Sequence, residues 1–196
     1  MTAALAAGIL LFSGCGKEEP AYYETESVQP APATQEVPAQ MPSMPATQAP
    51  APGNLAFTFS LPEGWSEKPP TSMVIMAFQA GNPPEQVADV SVSAFPGDVG
   101  GQLANLNRWR RQVGLGPVAP EAADGFITEL EVSGIASWQV DLTGPDGMGP
   151  DGTAARMMVT AVPHNGQTWF FKMMGPQAAV EGQKAGYEAF LQSVTF

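Results

Sequence analysis

The sequence predicts an α+β domain, an antiparallel β-sheet flanked by helices, preceded by a long extension of different composition. Three observations carry this reading. Two hydrophobic runs, residues 154–162 and 167–174, lie on either side of Asn165-Gly166, the pair that best tolerates the positive φ angles of a two-residue hairpin turn. Both faces of that hairpin are largely apolar, so both must be covered. Two segments, Gln102 to Val113 and Gln177 to Gln192, place apolar residues at helical spacing and can supply the cover.

The extension comes first in the chain. Residues 1–15 are an apolar run of signal-peptide length, too short to span a bilayer as a helix. The run closes in Phe12-Ser13-Gly14-Cys15, which resembles the lipobox of bacterial lipoproteins. The resemblance implies that Cys15 is lipid-modified, becomes the mature N-terminus and carries several acyl chains, since one alone anchors only marginally. Gly16 and Lys17 stand where enteric lipoproteins retained at the inner membrane carry Asp, so the implied location is the outer membrane, facing the periplasm. Residues 16–54 hold eight of the 20 prolines, between Pro20 and Pro52, and little that could form a core. They read as a disordered acidic tether, with a reach on the order of 100 Å in polyproline II form.

Residues 55–196 remain, a common size for a single domain. Of the net charge of −11, the tether carries −4 (one Lys, five acids) and the domain −7 (seven basic, fourteen acidic residues). Such a surface repels phosphate backbones, so no nucleic-acid partner is expected. One Cys and one His exclude a disulfide framework and a His/Cys zinc site, and no cofactor is expected.

Leu55 to Leu61 alternates apolar and polar residues as a half-buried strand does, and Pro62-Glu-Gly-Trp65 closes it with a turn. Ser72 to Gln79 reads as a strand covered on both faces. Val87 to Phe95 alternates, with Val90, Val92 and Ala94 on one side and a wet face of Asp89, Ser91 and Ser93. After the helix Gln102 to Val113, residues 114–125 look irregular. Phe126 to Val132 and Ile135 to Leu142 then form a hairpin about Ser133-Gly134, where strict pairing sets Glu129 beside Trp138 unless a bulge intervenes. Thr143 to Gly152 is a Gly-rich loop. In the second hairpin, counting outward from Asn165-Gly166 pairs Val162 with Trp169, Thr160 with Phe171 and Met158 with Met173, and on the other face Ala161 with Phe170 and Val159 with Lys172. The last helix turns Val180, Tyr187, Phe190, Leu191 and Val194 inward, and a short strand ends the chain at Phe196.

The opening Phe57-x-Phe-x-Leu-Pro-Glu-Gly-Trp65, the hairpin ending in Trp169-Phe-Phe-Lys172 and the closing Phe190-Leu-Gln-Ser-Val-Thr-Phe196 resemble the Mog1/PsbP-type domain over most of residues 55–196. That resemblance implies an α/β/α sandwich and a non-enzymatic tendency, with no functional residue to carry across.

The side chains themselves offer little for catalysis. His164 stands at a hairpin tip and reads as a solvated turn residue. Glu129 and Glu131 share one side of a strand, and Asp146 and Asp151 lack the spacing of a calcium loop. Six methionines in strands divide between two faces and read as core filling rather than a copper site. The helix holding three of the eight basic residues is more informative. Its phase puts Arg110 inside the apolar arc of Leu103, Leu106, Trp109 and Val113, a structural arginine that snorkels or meets a carboxylate. Arg108 and Arg111 point outward with Asn107, and this trio is the expected binding surface, suited to carboxylates, phosphates or sugars. The expected role is a non-enzymatic interaction or scaffolding module for an envelope protein, using the Arg108/Arg111 face and the nearby strand from Asp89 to Ser93. The rival is a small-ligand site, for a lipid or an anionic metabolite, in a pocket between sheet and helix.

Overall fold

The hairpin about Asn165-Gly166 is the centre of the sheet. The computed structural model describes residues 56–83 and 86–196, which belong to one compact unit. The lipobox with Cys15, the tether of residues 16–54 and Leu55 lie outside the described residues. The strands are β1 (Trp65–Lys68), β2 (Met76–Ala80), β3 (Ala88–Pro96), β4 (Thr128–Val132), β5 (Ile135–Thr143), β6 (Ala155–His164) and β7 (Gln167–Pro176). They form one antiparallel sheet in the order β1-β2-β3-β7-β6-β5-β4. The helices are α1 (Gly101–Gln112), the short α2 (Pro120–Ala123) followed by a 3₁₀ turn (Asp124–Phe126), and α3 (Gln177–Ser193).

Asn165 and Gly166 take φ values of 48° and 71°, and every pairing counted from them holds, from Val162 opposite Trp169 to Val159 opposite Lys172. The strands on either side complete the burial that two apolar faces demand. On one face Trp169, Phe171, Met173, Val90 and Val92 meet Val180, Tyr187, Phe190 and Leu191 of α3. On the other, Phe170, Met157, Val159 and Val140 meet Leu106, Trp109 and Val113 of α1. The result is a helix–sheet–helix sandwich. Met158 and Met173 fall on the α3 face and Met157 and Met174 on the α1 face, the two half-sets that strand alternation requires.

The chain crosses from β3, next to the centre, to β4 at the far edge through α1 and α2. That crossing places α1 over β5, β6 and β7. Close approach at its C-terminus depends on Gly144, where a Cβ would lie 1.8 Å from the Val113 carbonyl oxygen.

Three expectations need correction. The segment from Phe57 to Leu61 is not a strand; its ladder is one bridge, Thr58 to Thr195, and its aromatics are held by packing, Phe57 against Trp169 at 5.3 Å and Phe196 at 5.2 Å. The first true strand follows the turn, where Trp65 pairs with Ala80. The second strand begins at Met76, not Ser72. The region 114–125 contains α2 and the start of the 3₁₀ turn, with Pro120 at the helix start as its fixed φ favours. The Ser133-Gly134 hairpin has no bulge. Glu129 does stand opposite Trp138, because β4 is an edge strand whose carboxylate reaches water while the indole leans on Trp109 at 5.3 Å.

Candidate functional site

The α1 helix begins at Gly100, in the left-handed region at φ 85°, with the Asp98 carboxylate accepting from the Gly101 amide at 3.0 Å. Leu106, Trp109 and Val113 are buried as their phase requires. Asn105, in mid-helix, is only 2% exposed. Its amide donates to Val99 O at 3.0 Å and Gly101 O at 2.8 Å, and its Oδ1 accepts from Arg108 Nη2 at 2.5 Å. A buried amide therefore holds the guanidinium end of the exposed Arg108, which lies 6.0 Å from the Trp109 ring centre.

The other polar residues of the helix divide differently from their phase. Asn107 turns to the loop after α1. Its Oδ1 accepts from the Val118 amide at 2.8 Å and its Nδ2 donates to Val118 O at 3.0 Å, so both ends of the side chain brace the loop after α1. Arg110 meets no carboxylate among the described residues. Its Nε donates to Gly116 O at 2.7 Å and its guanidinium stacks 4.5 Å over the Phe126 ring, a carbonyl and an aromatic face taking the place of an acid. Arg111 is exposed, with no hydrogen-bond partner among the described residues.

Beyond the edge of α1 the same face of the sheet is open among the described residues. One row of the ladder runs Lys68, Ala77, Ser91, Lys172, Val159, Val140, and α1 covers only its last members. Asp89 is ion-paired with Lys68 at 2.5 Å, and Ser91 and Ser93 are half-buried, so the wet face of β3 is real. Lys172 stands at the boundary. Burial pushes its ammonium below the usual lysine range, and the charge of Arg108 adds to that, against a smaller opposing pull from Asp89. No acceptor bonds its Nζ among the described residues. Sequence reasoning missed both Lys172 and Asn105, although each had a signal: Lys172 is the one charged residue between Thr168 and Met174, and Asn105 interrupts a helix.

The α3 face handles charge in the opposite way. Arg156 forks onto Asp141, Nε to Oδ1 at 2.8 Å and Nη2 to Oδ2 at 2.7 Å, and also donates to Glu181, while Lys184 reaches Asp141 at 3.4 Å. Burial alone would raise the Asp141 pKa, but bonds and charge from Arg156, then Lys184, outweigh it and hold the carboxyl below its ordinary value. The Arg156 guanidinium is raised above its ordinary value, chiefly by the bonds to Asp141. Of the domain's seven basic side chains, Lys68, Arg156 and Lys184 are paired with acids. The other four, Arg108, Arg110, Arg111 and Lys172, have no carboxylate partner among the described residues, and all lie on α1 or on the sheet face beside it.

Around the other end of α1, Asp98, Gln102, Trp138 and the 163–168 turn border a shallow depression of about 510 Å³. Glu129 and Glu131, on one side of β4 as expected, border a second of about 450 Å³ beside Trp138. His164 is not simply solvated; its ring stacks on Phe196 at 4.5 Å and is half-buried. Asp151 accepts from the Thr153 hydroxyl and amide and from Gln86, closing its own loop. Among the described residues no three His, Cys, Asp or Glu side chains converge on a point that could hold a metal, and no helix is long and apolar enough to cross a membrane. The buried side chains named above pack between sheet and α1 and between sheet and α3.

No family model matches the chain, and no curated protein resembles it in sequence. Among solved structures it is similar to cyanobacterial PsbP (CyanoP) from Synechocystis sp. PCC 6803, at 14% identity and a TM-score of 0.43, over 70% of this chain and 85% of that one. It is similar to LpqN of Mycobacterium tuberculosis, described as involved in cell envelope biogenesis, at 11% identity and a TM-score of 0.46, over 71% and 82%. A Bacteroides thetaiotaomicron structure matches at 12% identity and a TM-score of 0.43 over 70% of this chain, which spans 44% of that protein. At such identities and scores these likenesses assign no ligand, partner or activity. The class defined by the architecture is an α+β domain with one closed and one half-open sheet face.

Proposed function

We propose that the chain is a lipid-anchored envelope protein whose domain is a non-enzymatic docking module for an acidic surface of an envelope protein. The lipobox-like Phe12 to Cys15 and the proline-rich tether support the anchor, in an outer membrane facing the periplasm. One observation carries the docking role: in a domain with a twofold excess of acids, the exposed Arg108 and Arg111 have no carboxylate partner among the described residues, while Arg156 on the opposite face is saturated. Both stand on one helix, with Arg108 oriented by Asn105. Asn107 is no part of the docking surface, because its amide is committed to Val118.

The test is a photo-crosslinking residue at position 111 in intact cells, with position 188 on the exposed side of α3 as control. A discrete adduct from position 111 is expected, absent from position 188 and lost in the Arg108→Glu background. Equal adducts from both positions, or an adduct indifferent to Arg108→Glu, would sink the reading.

A further inference from the structure

A depression of about 320 Å³ lies over the open half of the α1 face, bordered by Asp89, Ser91, Met148, Pro150, Lys172 and Met174. The volume is at the small end for ligand pockets. Two sides of it are chemically distinct. Met148, Pro150 and Met174 make an apolar wall, while Lys172 and Ser91, directly opposed in the β3–β7 ladder, present an ammonium and a hydroxyl. Asp89 borders the space too, but its carboxylate is held by Lys68 at 2.5 Å and only partly offsets the Lys172 charge.

A half-buried ammonium with no ion-paired carboxylate among the described residues is an unfavourable arrangement, and the Arg108 charge worsens it. An anion placed here would satisfy the free N–H donors and offset the repulsion between the two cations, in a site partly shielded from water. The available donors, one ammonium and one hydroxyl, match a head group with a single negative charge. A phosphate dianion would set its second charge against Asp89.

We propose that this depression binds a small organic carboxylate, its head group held by Lys172 Nζ and Ser91 Oγ and its short apolar chain lying along Met148 and Met174. The head-group donors, Lys172 and Ser91, are distinct from the docking arginines, although the charge of Arg108 adds to the positive potential of the site. It also differs from a pocket between sheet and helix, because it sits where α1 ends and the sheet is bare.

Methionine-methyl NMR of the full chain at pH 7 tests it, with hexanoate, 1-hexanol and inorganic phosphate as separate probes. Hexanoate is expected to shift the Met148 and Met174 methyls saturably, with neither hexanol nor phosphate doing so. Lys172→Leu should weaken hexanoate about tenfold or more, as loss of a charge-assisted bond implies, and Ser91→Ala about threefold. Hexanol moving the same methyls with equal affinity would reduce the site to an apolar crevice and overturn the proposal. Saturation by phosphate would overturn the single-charge head group, and unchanged hexanoate affinity in Lys172→Leu would remove the lysine. Should Lys172→Leu fail to fold, the hexanol comparison on the native chain and the Ser91→Ala variant still decide the matter.

Discussion

The two faces of the sheet use the same raw material differently. Under α3, aromatic rings interlock: Phe190 lies 5.4 Å from Phe59, 5.5 Å from Trp65, 5.8 Å from Phe78 and 5.9 Å from Phe171. The polar groups on that side are used up as well. Tyr187 is fully buried, its hydroxyl donating to Phe171 O at 2.7 Å and meeting Thr160 Oγ1 at 3.0 Å; burial, partly opposed by the Thr160 bond, raises its pKa above the ordinary value. Under α1 the cover is a shorter helix over three strands, and the cations at its margin are left without acids. A closed face specifies the fold, whereas a half-open face with unspent charge is where binding can be added at little cost to stability.

The largest effect should come from breaking the closed face. Phe190→Ala is expected to lower the unfolding free energy by about 3–5 kcal/mol, read by urea denaturation, because a fully buried ring leaves a cavity that its neighbours cannot close. A loss under 1 kcal/mol would mean that the α3 side is loosely packed and the contrast false.

Arg156→Met should cost about 1–3 kcal/mol at pH 7, since it leaves the Asp141 carboxylate with only the longer Lys184 contact. Because the Asp141 pKa is depressed in the fold, its contribution is complete above the unfolded-state carboxylate value of about 3.9 and is lost as pH falls through the lower folded value. Unfolding measured from pH 7 downward should therefore show the native and variant curves converging only in strong acid.

On the open face the sign reverses. Lys172 is lowered in the fold, so between its folded value and the unfolded value of about 10.4 the unfolded chain binds more protons, and stability rises with pH. Lys172→Leu should accordingly be more stable than the native chain at neutral pH, with the difference shrinking as pH climbs. A variant less stable at pH 7 would show that the lysine has a partner that stabilises it.

The smallest effect belongs to Arg111→Glu, expected to move stability by no more than about 0.5 kcal/mol, as an exposed side chain without an ion pair should. A drop of 2 kcal/mol or more would mean that Arg111 holds the fold together, and would separate a structural role from docking.

Much of this was readable before any coordinates. The sequence by itself determined the β6–β7 hairpin and its register, because Asn165-Gly166 fixes the turn and the period of two fixes everything outward from it. It determined that both faces are buried, and which residues of α3 point inward, since apolar spacing encodes a direction. It misplaced the first strand because alternation records only which side chains are buried; Phe57 and Phe59 are held by packing against aromatics distant in sequence, with Thr195 supplying a single bridge. Tertiary structure alone decided the site. Helical phase could say that Arg108 and Arg111 face away from the core, but not that Asn107 would turn to Val118, that Arg110 would find Phe126, or that α1 would stop short of Lys172. Those outcomes depend on where a loop and three strands come to lie, and a polar side chain takes whichever partner the completed fold brings within about 3 Å.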